Sequence, residues 1–239
     1  MHSSLFFLIS TLTGLALSAP TLELSKKRDA ISERESLISQ LQLAPTAVER
    51  SKLLPDNKYW LFDFRNPSGP GAITQGEGGF TAKADRETFP ALIGTGVGMT
   101  VGFFGPCGFN TPHTHPRSSE INICVKGNLV AEFIAENGAR SIINDVSEYQ
   151  MTVFPQGALH TEFNPDCTDS IFVAGFASED PGVQQAAQTF FGLRDDIVKA
   201  ALGAESIDGR DIDQFKSTIP PNVARGVESC LQRCGIQKR

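Results

Sequence analysis

The chain has 239 residues, a formal net charge of −6 and 40% apolar residues. That balance describes a folded domain rather than a disordered chain. The acidic total and the lack of a basic stripe argue against a protein that grips a nucleic-acid phosphate backbone.

The first element is Leu5 to Leu17, "LFFLISTLTGLAL". It is too short to cross a bilayer comfortably, and "ALSAP" after it puts the small residues Ala16 and Ser18 where a signal peptidase cuts. No Lys or Arg precedes the run, so a signal anchor is the alternative. The short core and small-residue exit favour a cleaved leader over residues 1–18. No second long apolar run follows, so the expectation is a secreted chain with no membrane association after cleavage. "SKKR" (Ser25 to Arg28) reads either as a dibasic site closing a propeptide at residue 28 or as a solvated charge cluster.

Residues 19–57 read as an arm. Ile31, Leu37, Ile38 and Leu41 follow helical spacing, and the helix is expected to end near Ala44–Pro45, because the residue before proline is pushed out of helical geometry. "TAVERSKLL" predicts a second short helical turn. The arm packs on the domain or on a neighbouring subunit.

Residues 58–182 change character. "KYWLFDF" alternates and predicts a strand, and "NPSGPGAITQGEGG" predicts a loop. Short strand candidates follow: "GVGMTVGFF", "EINICVKG", "NLVAEFIAE", "SIINDV", "YQMTVFP", "HTEFNP" and "SIFVAGFA". Asn137–Gly138 is a hairpin signal. The fold class is therefore mainly β, a barrel or sandwich. Residues 183–239 turn helical again, interrupted at Pro220–Pro221 and stopped at Gly235. This tail is expected to serve packing or an oligomer interface rather than a lid.

Five cysteines on a secretory route permit disulfides and leave one thiol over. Cys107 and Cys167 flank the two motifs described next and are expected to pair. Cys230 and Cys234, one helical turn apart, form the expected second pair, with Cys124 left as a buried thiol.

The stretch "NTPHTHPRSSE" gathers His113, His115 and Glu120. Residues two apart on a strand share a side, so both imidazoles face one cavity. "EINIC" then alternates and puts Glu120, Asn122 and Cys124 on one face. His160 opens a later strand in "PQGALHTEFN". The chain has four histidines; with His2 in the leader, every other one falls in these two stretches. Three neutral imidazoles and a carboxylate suit a divalent first-row metal. A surface turn explains a lone His-x-His better; it does not explain the two-part pattern.

"NTPHTHPRSSEINICVKG" resembles the first cupin motif, G-x5-H-x-H-x4-E-x6-G, through His113, His115, Glu120 and Gly127. "PQGALHTEFN" resembles the second through Pro155, Gly157, His160 and Asn164. With the leader and helical tail, the chain resembles germins and the spherulin-like secreted cupins over about residues 58 to 220. Each motif ordinarily begins with glycine; those places fall on Cys107 and Tyr149 here, with Gly108 beside the first. The N-terminal cysteine pair of germins is absent.

The resemblance implies a single jelly-roll barrel with Mn²⁺ held by His113, His115, Glu120 and His160, with Fe, Zn, Cu or Ni as alternatives. Germins that oxidise oxalate position substrate with two asparagines. Asn110 matches one, and Thr100 stands at the other; asparagine before Thr-Pro also shapes turns. Arg117 reads as an exposed loop charge rather than an anion site. Phe103, Phe104, Phe133, Phe154 and Phe163 read as barrel wall. The implied function is a manganese oxidase of a small carboxylate or a superoxide dismutase. The alternative is a non-enzymatic extracellular structural, stress or encystment protein with a stabilising metal. A homo-oligomer is implied in either case.

Overall fold

The computed structural model describes residues 19–203 and 209–237. The leader read from Leu5 to Leu17 lies outside them. Helix α1 spans Ala19–Leu43 and α2 spans Ala47–Leu53. Pro20 sits in the first turn of α1, where proline is tolerated, so the helix starts upstream of the apolar pattern. Its end falls where Ala44–Pro45 predicts. Thr46 caps α2, its side chain accepting from Glu49 N at 3.2 Å, the first half of a capping box. Leu41, Leu54 and Ile93 are buried together, with Leu37 and Ile38 against them. The arm is thus packed on the loop that carries Ile93.

"KYWLFDF" is not a strand. Asn57–Trp60 forms a 3-10 turn capped by Asp56, whose side chain accepts from Lys58 N. The Trp60 indole donates to Leu54 O at 3.1 Å. Local side-chain capping has outcompeted the alternating pattern.

The barrel strands are β1 Ile73–Gly76, β2 Gly79–Ala84, β3 Gly98–Phe104, β4 Gly108–Phe109, β5 His113–Thr114, β6 Glu120–Lys126, β7 Leu129–Ile134, β8 Ile142–Val146, β9 Met151–Phe154, β10 Leu159–Phe163, β11 Ser170–Phe176, β12 Gln184–Gln185 and β13 Ala224–Arg225. One sheet runs β1-β2-β3-β11-β6-β9; the other runs β12-β5-β10-β4-β13, with β7 joining β10 to β8. All pairs are antiparallel. The Asn137–Gly138 turn links β7 to β8, with Gly138 at φ 92°.

β1 lies inside the stretch read as loop. It pairs with β2 across Gly76 and Gly79. The tail crosses this hairpin so closely that a Cβ at Gly76 would stand 2.0 Å from Val223 O, and one at Gly78 1.9 Å from Ala224 O. Those glycines serve backbone approach as well as turning.

Strands β6, β7, β9, β10 and β11 alternate one face inward. Phe104, Phe133, Phe154 and Phe172 meet inside with Cys124 and Leu129. Two of the phenylalanines read as wall lie elsewhere. Phe103 stacks on Phe80 at 4.6 Å, and Phe163 packs beside Cys107, Cys230 and Leu231. The outer face of β3, β6 and β9 is also apolar: Met99, Ile121, Met151 and Val153 are all exposed.

The tail holds α3 Ala186–Phe190, α4 Asp195–Ala201, α5 Gly209–Thr218 and α6 Glu228–Arg233. Gly235, at φ 64°, follows the last helix. The expected disulfide pairing is corrected: the bonds are Cys107–Cys230 and Cys167–Cys234. Neighbouring loops present Cys107 and Cys167, as the bond from Cys107 N to Asp166 O shows. Cysteines one turn apart on α6 lie on the same side of the helix, so both reach toward those loops rather than toward each other. Cys124 is the free, buried thiol, as expected.

Candidate metal centre

His113 and His160 are register partners on β5 and β10. His115 follows β5, and Glu120 opens β6 opposite Phe154 and Phe176. All four are buried, and one ligand atom from each lies within 4.8 Å of the others. Metal bonds of about 2 Å to imidazole nitrogen and carboxylate oxygen fit inside that spread.

The ring orientations are set by backbone carbonyls. His113 Nδ1 meets Thr111 O at 3.0 Å, His160 Nδ1 meets Ala158 O at 2.9 Å, and His115 Nδ1 meets Gly182 O. A carbonyl only accepts, so each Nδ1 carries the hydrogen and each Nε2 lone pair faces the cavity. Glu120 Oε2 is 3.0 Å from His115 Nε2 and 3.3 Å from His160 Nε2. His160 Nε2 makes no hydrogen bond. A buried acceptor without a donor is costly, and a cation at this point satisfies it.

Electrostatics fit a neutral His113 and an ionised Glu120, while the carboxylates beside His160 draw it toward protonation. Burial, with the neighbouring His160 and His115, pushes His113 down to about 3, leaving it neutral. Burial opposes the charge on Glu120, but the His115 and His160 rings outweigh it and hold the carboxyl below the usual range. Burial also opposes charge on His160, yet Glu120 and Glu162 raise it on balance. Phe154 stacks on the His160 ring at 4.2 Å, and Phe176 lies 4.6 Å from the His115 ring. Aromatic walls of this kind keep water from the rings on one side.

A cavity of about 210 Å³ opens beside the ligands, with Thr100 and Asn110 in its lining. Asn110 Nδ2 is 3.4 Å from His113 Nε2. Its backbone is clamped to β10: Asn110 N donates to Glu162 O, and the Thr161 hydroxyl donates to Asn110 O. Arg117 is exposed and tied to Asp180 at 2.6 Å, in keeping with a loop charge.

The family profile described as Cupin matches residues 65–206. The chain is a cupin. Spherulin-1A of Physarum polycephalum is 45% identical over 200 residues, covering 84% of this chain and 79% of the relative. Germin-like protein 1-3 of Oryza sativa subsp. japonica is 28% identical over 192 residues, covering 80% and 84%. Among solved structures, an oxalate oxidase in complex with the substrate analogue glycolate superposes with a TM-score of 0.58 at 25% identity, covering 66% of this chain and 80% of that one.

The sequence reading of this cupin overlooked Glu162. It shares the inner face of β10 with His160, is 1% exposed, and accepts from Asn122 Nδ2 at 3.3 Å. Asn122 also donates to Glu120 Oε1 at 3.0 Å. Burial and the nearby Glu120 charge push Glu162 up to about 8. The signal was present in "HTEFN": alternation from His160 puts an acidic side chain indoors. Asn222 was also overlooked. Its Oδ1 accepts from Thr111 N at 2.8 Å, bringing the tail to the cavity wall.

Proposed function

We propose that this cupin is a secreted manganese protein that either oxidises a small carboxylate or dismutates superoxide. One observation carries the reading: three imidazoles and a carboxylate converge on one point beside an open cavity. Bound there, a divalent ion would supply a Lewis acid and a redox centre. His113, His115, Glu120 and His160 would hold it, and the mix of imidazole and carboxylate suits manganese or iron. Asn110 and Thr100 would orient the substrate from the cavity wall, and Phe154 and Phe176 would exclude water.

Secretion is supported by the leader read from residues 1–18 and by the two disulfides. No helix among the described residues is long and apolar enough to cross a membrane. Assembly as a homo-oligomer is part of the proposal.

Thr100 favours a second reading. A hydroxyl stands where oxalate-oxidising germins carry an amide, which weakens the clamp on oxalate. In this reading the metal stabilises the barrel and the protein works outside the cell without turnover.

The test is elemental analysis of the secreted, mature protein beside a His113→Ala variant, followed by peroxide-release assays with oxalate and other small carboxylates and by superoxide assays. About one manganese per chain, lost in the variant together with turnover, is the expected result. Metal without any turnover selects the second reading, and no stoichiometric metal overturns both.

A further inference from the structure

We propose that Arg86 is the anion-binding residue at the mouth of the metal cavity, and that it takes one carboxylate of a small dicarboxylate whose other carboxylate lies at the metal end. The inference rests on the carboxylate reading above and adds a residue and a substrate shape to it.

Charge pairing around the mouth leads to this assignment. Lys83, Asp85, Arg86, Glu87 and Asp180 all line the cavity. Lys83 Nζ is 2.7 Å from Asp85 and 3.6 Å from Glu87, so one ammonium is shared between two carboxylates. Asp180 is answered by Arg117 at 2.6 Å. Glu179, the next acidic group along, accepts from Gly94 N at 2.6 Å and Gly96 N at 3.2 Å. Among the described residues the Arg86 side chain forms no ion pair and no hydrogen bond. A guanidinium stays charged at any ordinary pH and offers five donors. Leaving it half-buried and unanswered is costly, and an anion in the cavity removes that cost.

The backbone around Arg86 is fixed to the metal site. Arg86 N donates to Glu179 O at 2.8 Å. Three residues on, Gly182 O orients His115. One short segment therefore sets both the arginine and a ligand imidazole.

Glu120, Phe176 and Gly98 lie in register across β6, β11 and β3, and β2, which ends two residues before Arg86, is the next strand. Three strand steps make about 14 Å between backbones. The arginine arm covers this from one side, and the Glu120 side chain with its ion covers it from the other. A small dicarboxylate in the cavity would bridge the guanidinium and the metal end. At the metal end, Thr100 offers only a short hydroxyl, so binding strength has to come from the mouth.

The experiment is calorimetric titration of the full mature protein with malonate, succinate, oxalate and the monocarboxylate propionate. It is run on wild type, Arg86→Gln and Arg86→Lys, with metal content and melting temperature measured for each. Losing charge-assisted hydrogen bonds to one carboxylate should weaken malonate and succinate by roughly tenfold or more in Arg86→Gln. Propionate affinity and metal content should stay unchanged, and the melting temperature should not fall. Arg86→Lys should recover part of the affinity, since it restores the charge without the fork. Equal dicarboxylate affinity in wild type and Arg86→Gln overturns the inference, as does a wild type that binds no dicarboxylate. Metal content is read separately: a metal-free wild type that still loses dicarboxylate affinity in Arg86→Gln removes the metalloenzyme reading and leaves Arg86 standing.

Discussion

His113 and His160 face each other across one rung of the barrel, with ring centroids 4.1 Å apart. Each turns its Nδ1 to the carbonyl two residues earlier, Thr111 for one and Ala158 for the other. Two protonated rings at this spacing would repel strongly in a dry interior. Two neutral rings can stand there, with His160 Nε2 3.3 Å from Glu120 Oε2 and His113 Nε2 3.4 Å from Asn110 Nδ2. A metal cation shared by both rings and Glu120 would keep both rings neutral.

Removal of the metal should therefore destabilise the folded chain. A ligand that binds only the native state stabilises it according to its saturation. Chelation is expected to lower the melting temperature by about 5 °C or more, and adding back Mn²⁺ should restore it. His160→Ala should abolish this response. Calorimetry with and without chelator checks it, and superimposable traces would count against a bound ion.

Asp85 makes the acid limb of stability testable. Burial alone would raise its carboxyl, but Lys83 and the bonds from Thr88 outweigh burial and lower it below its ordinary 3.8. A depressed carboxyl stabilises the fold above its unfolded value and loses that contribution as pH falls through the lower folded value. Asp85→Asn keeps an acceptor for Glu87 N and Thr88 N but loses the charge. Solvent screens the pair, so the cost at neutral pH should be about 0.5–1 kcal/mol. Urea unfolding across pH should show the two proteins converging as pH falls below the ordinary 3.8 and through the lower folded value; a constant gap would mean that the charge is not what matters.

The site was legible because its chemistry is written in neighbouring letters. His-x-His shares a strand face, Glu120 starts the next strand, and His160 comes from a strand with its own alternation. The barrel strands from β3 to β11, β4 and β5 apart, were legible for the same reason, whereas β12 and β13 lie in the stretch read as helical. What escaped depends on contacts distant in sequence. Nothing local marks "AITQGEGG" as a hairpin beneath the tail, since Gly76 and Gly78 are explained only by Val223 and Ala224. The disulfide pairing depends on where α6 docks. "KYWLFDF" misled because Asp56 and Leu54 O, not the pleat, determine its local shape. Arg86 looks ordinary until the partners of its acidic neighbours are known.

The departures from the cupin motifs have a structural consequence. Cys107 and Tyr149 stand where each motif ordinarily begins with glycine, and they are the non-glycine residues with positive φ among the described residues, at 58° and 64°. A side chain in that left-handed region costs about 1–2 kcal/mol. Cys107 is held there by its bond to Cys230. Tyr149 has only its turn, in which its N donates to Cys124 O at 2.7 Å, and its ring is 77% exposed. Tyr149→Gly should therefore stabilise the protein by about 0.5–1 kcal/mol, after the extra freedom of glycine in the unfolded chain is subtracted. A higher denaturation midpoint at unchanged slope is the expected result, and a lower midpoint would show that the ring contributes packing.

The outer face of the six-stranded sheet supports assembly. Ile121 and Val153 are register partners on β6 and β9, and each is about half exposed. Met99 and Met151 extend the same face across β3 and β9. Isolated exposed apolar residues are ordinary, but a contiguous patch on one sheet marks a contact surface. A second copy presenting the same face would bury it symmetrically. Val153→Glu places a charge in the patch while leaving the inward residues Thr152 and Phe154 untouched. Light scattering should give an oligomer for wild type and a smaller species for Val153→Glu, with the melting transition of the smaller species still cooperative. A wild-type monomer would remove the homo-oligomer from the proposed function, and an oligomer insensitive to Val153→Glu would move the interface to another face.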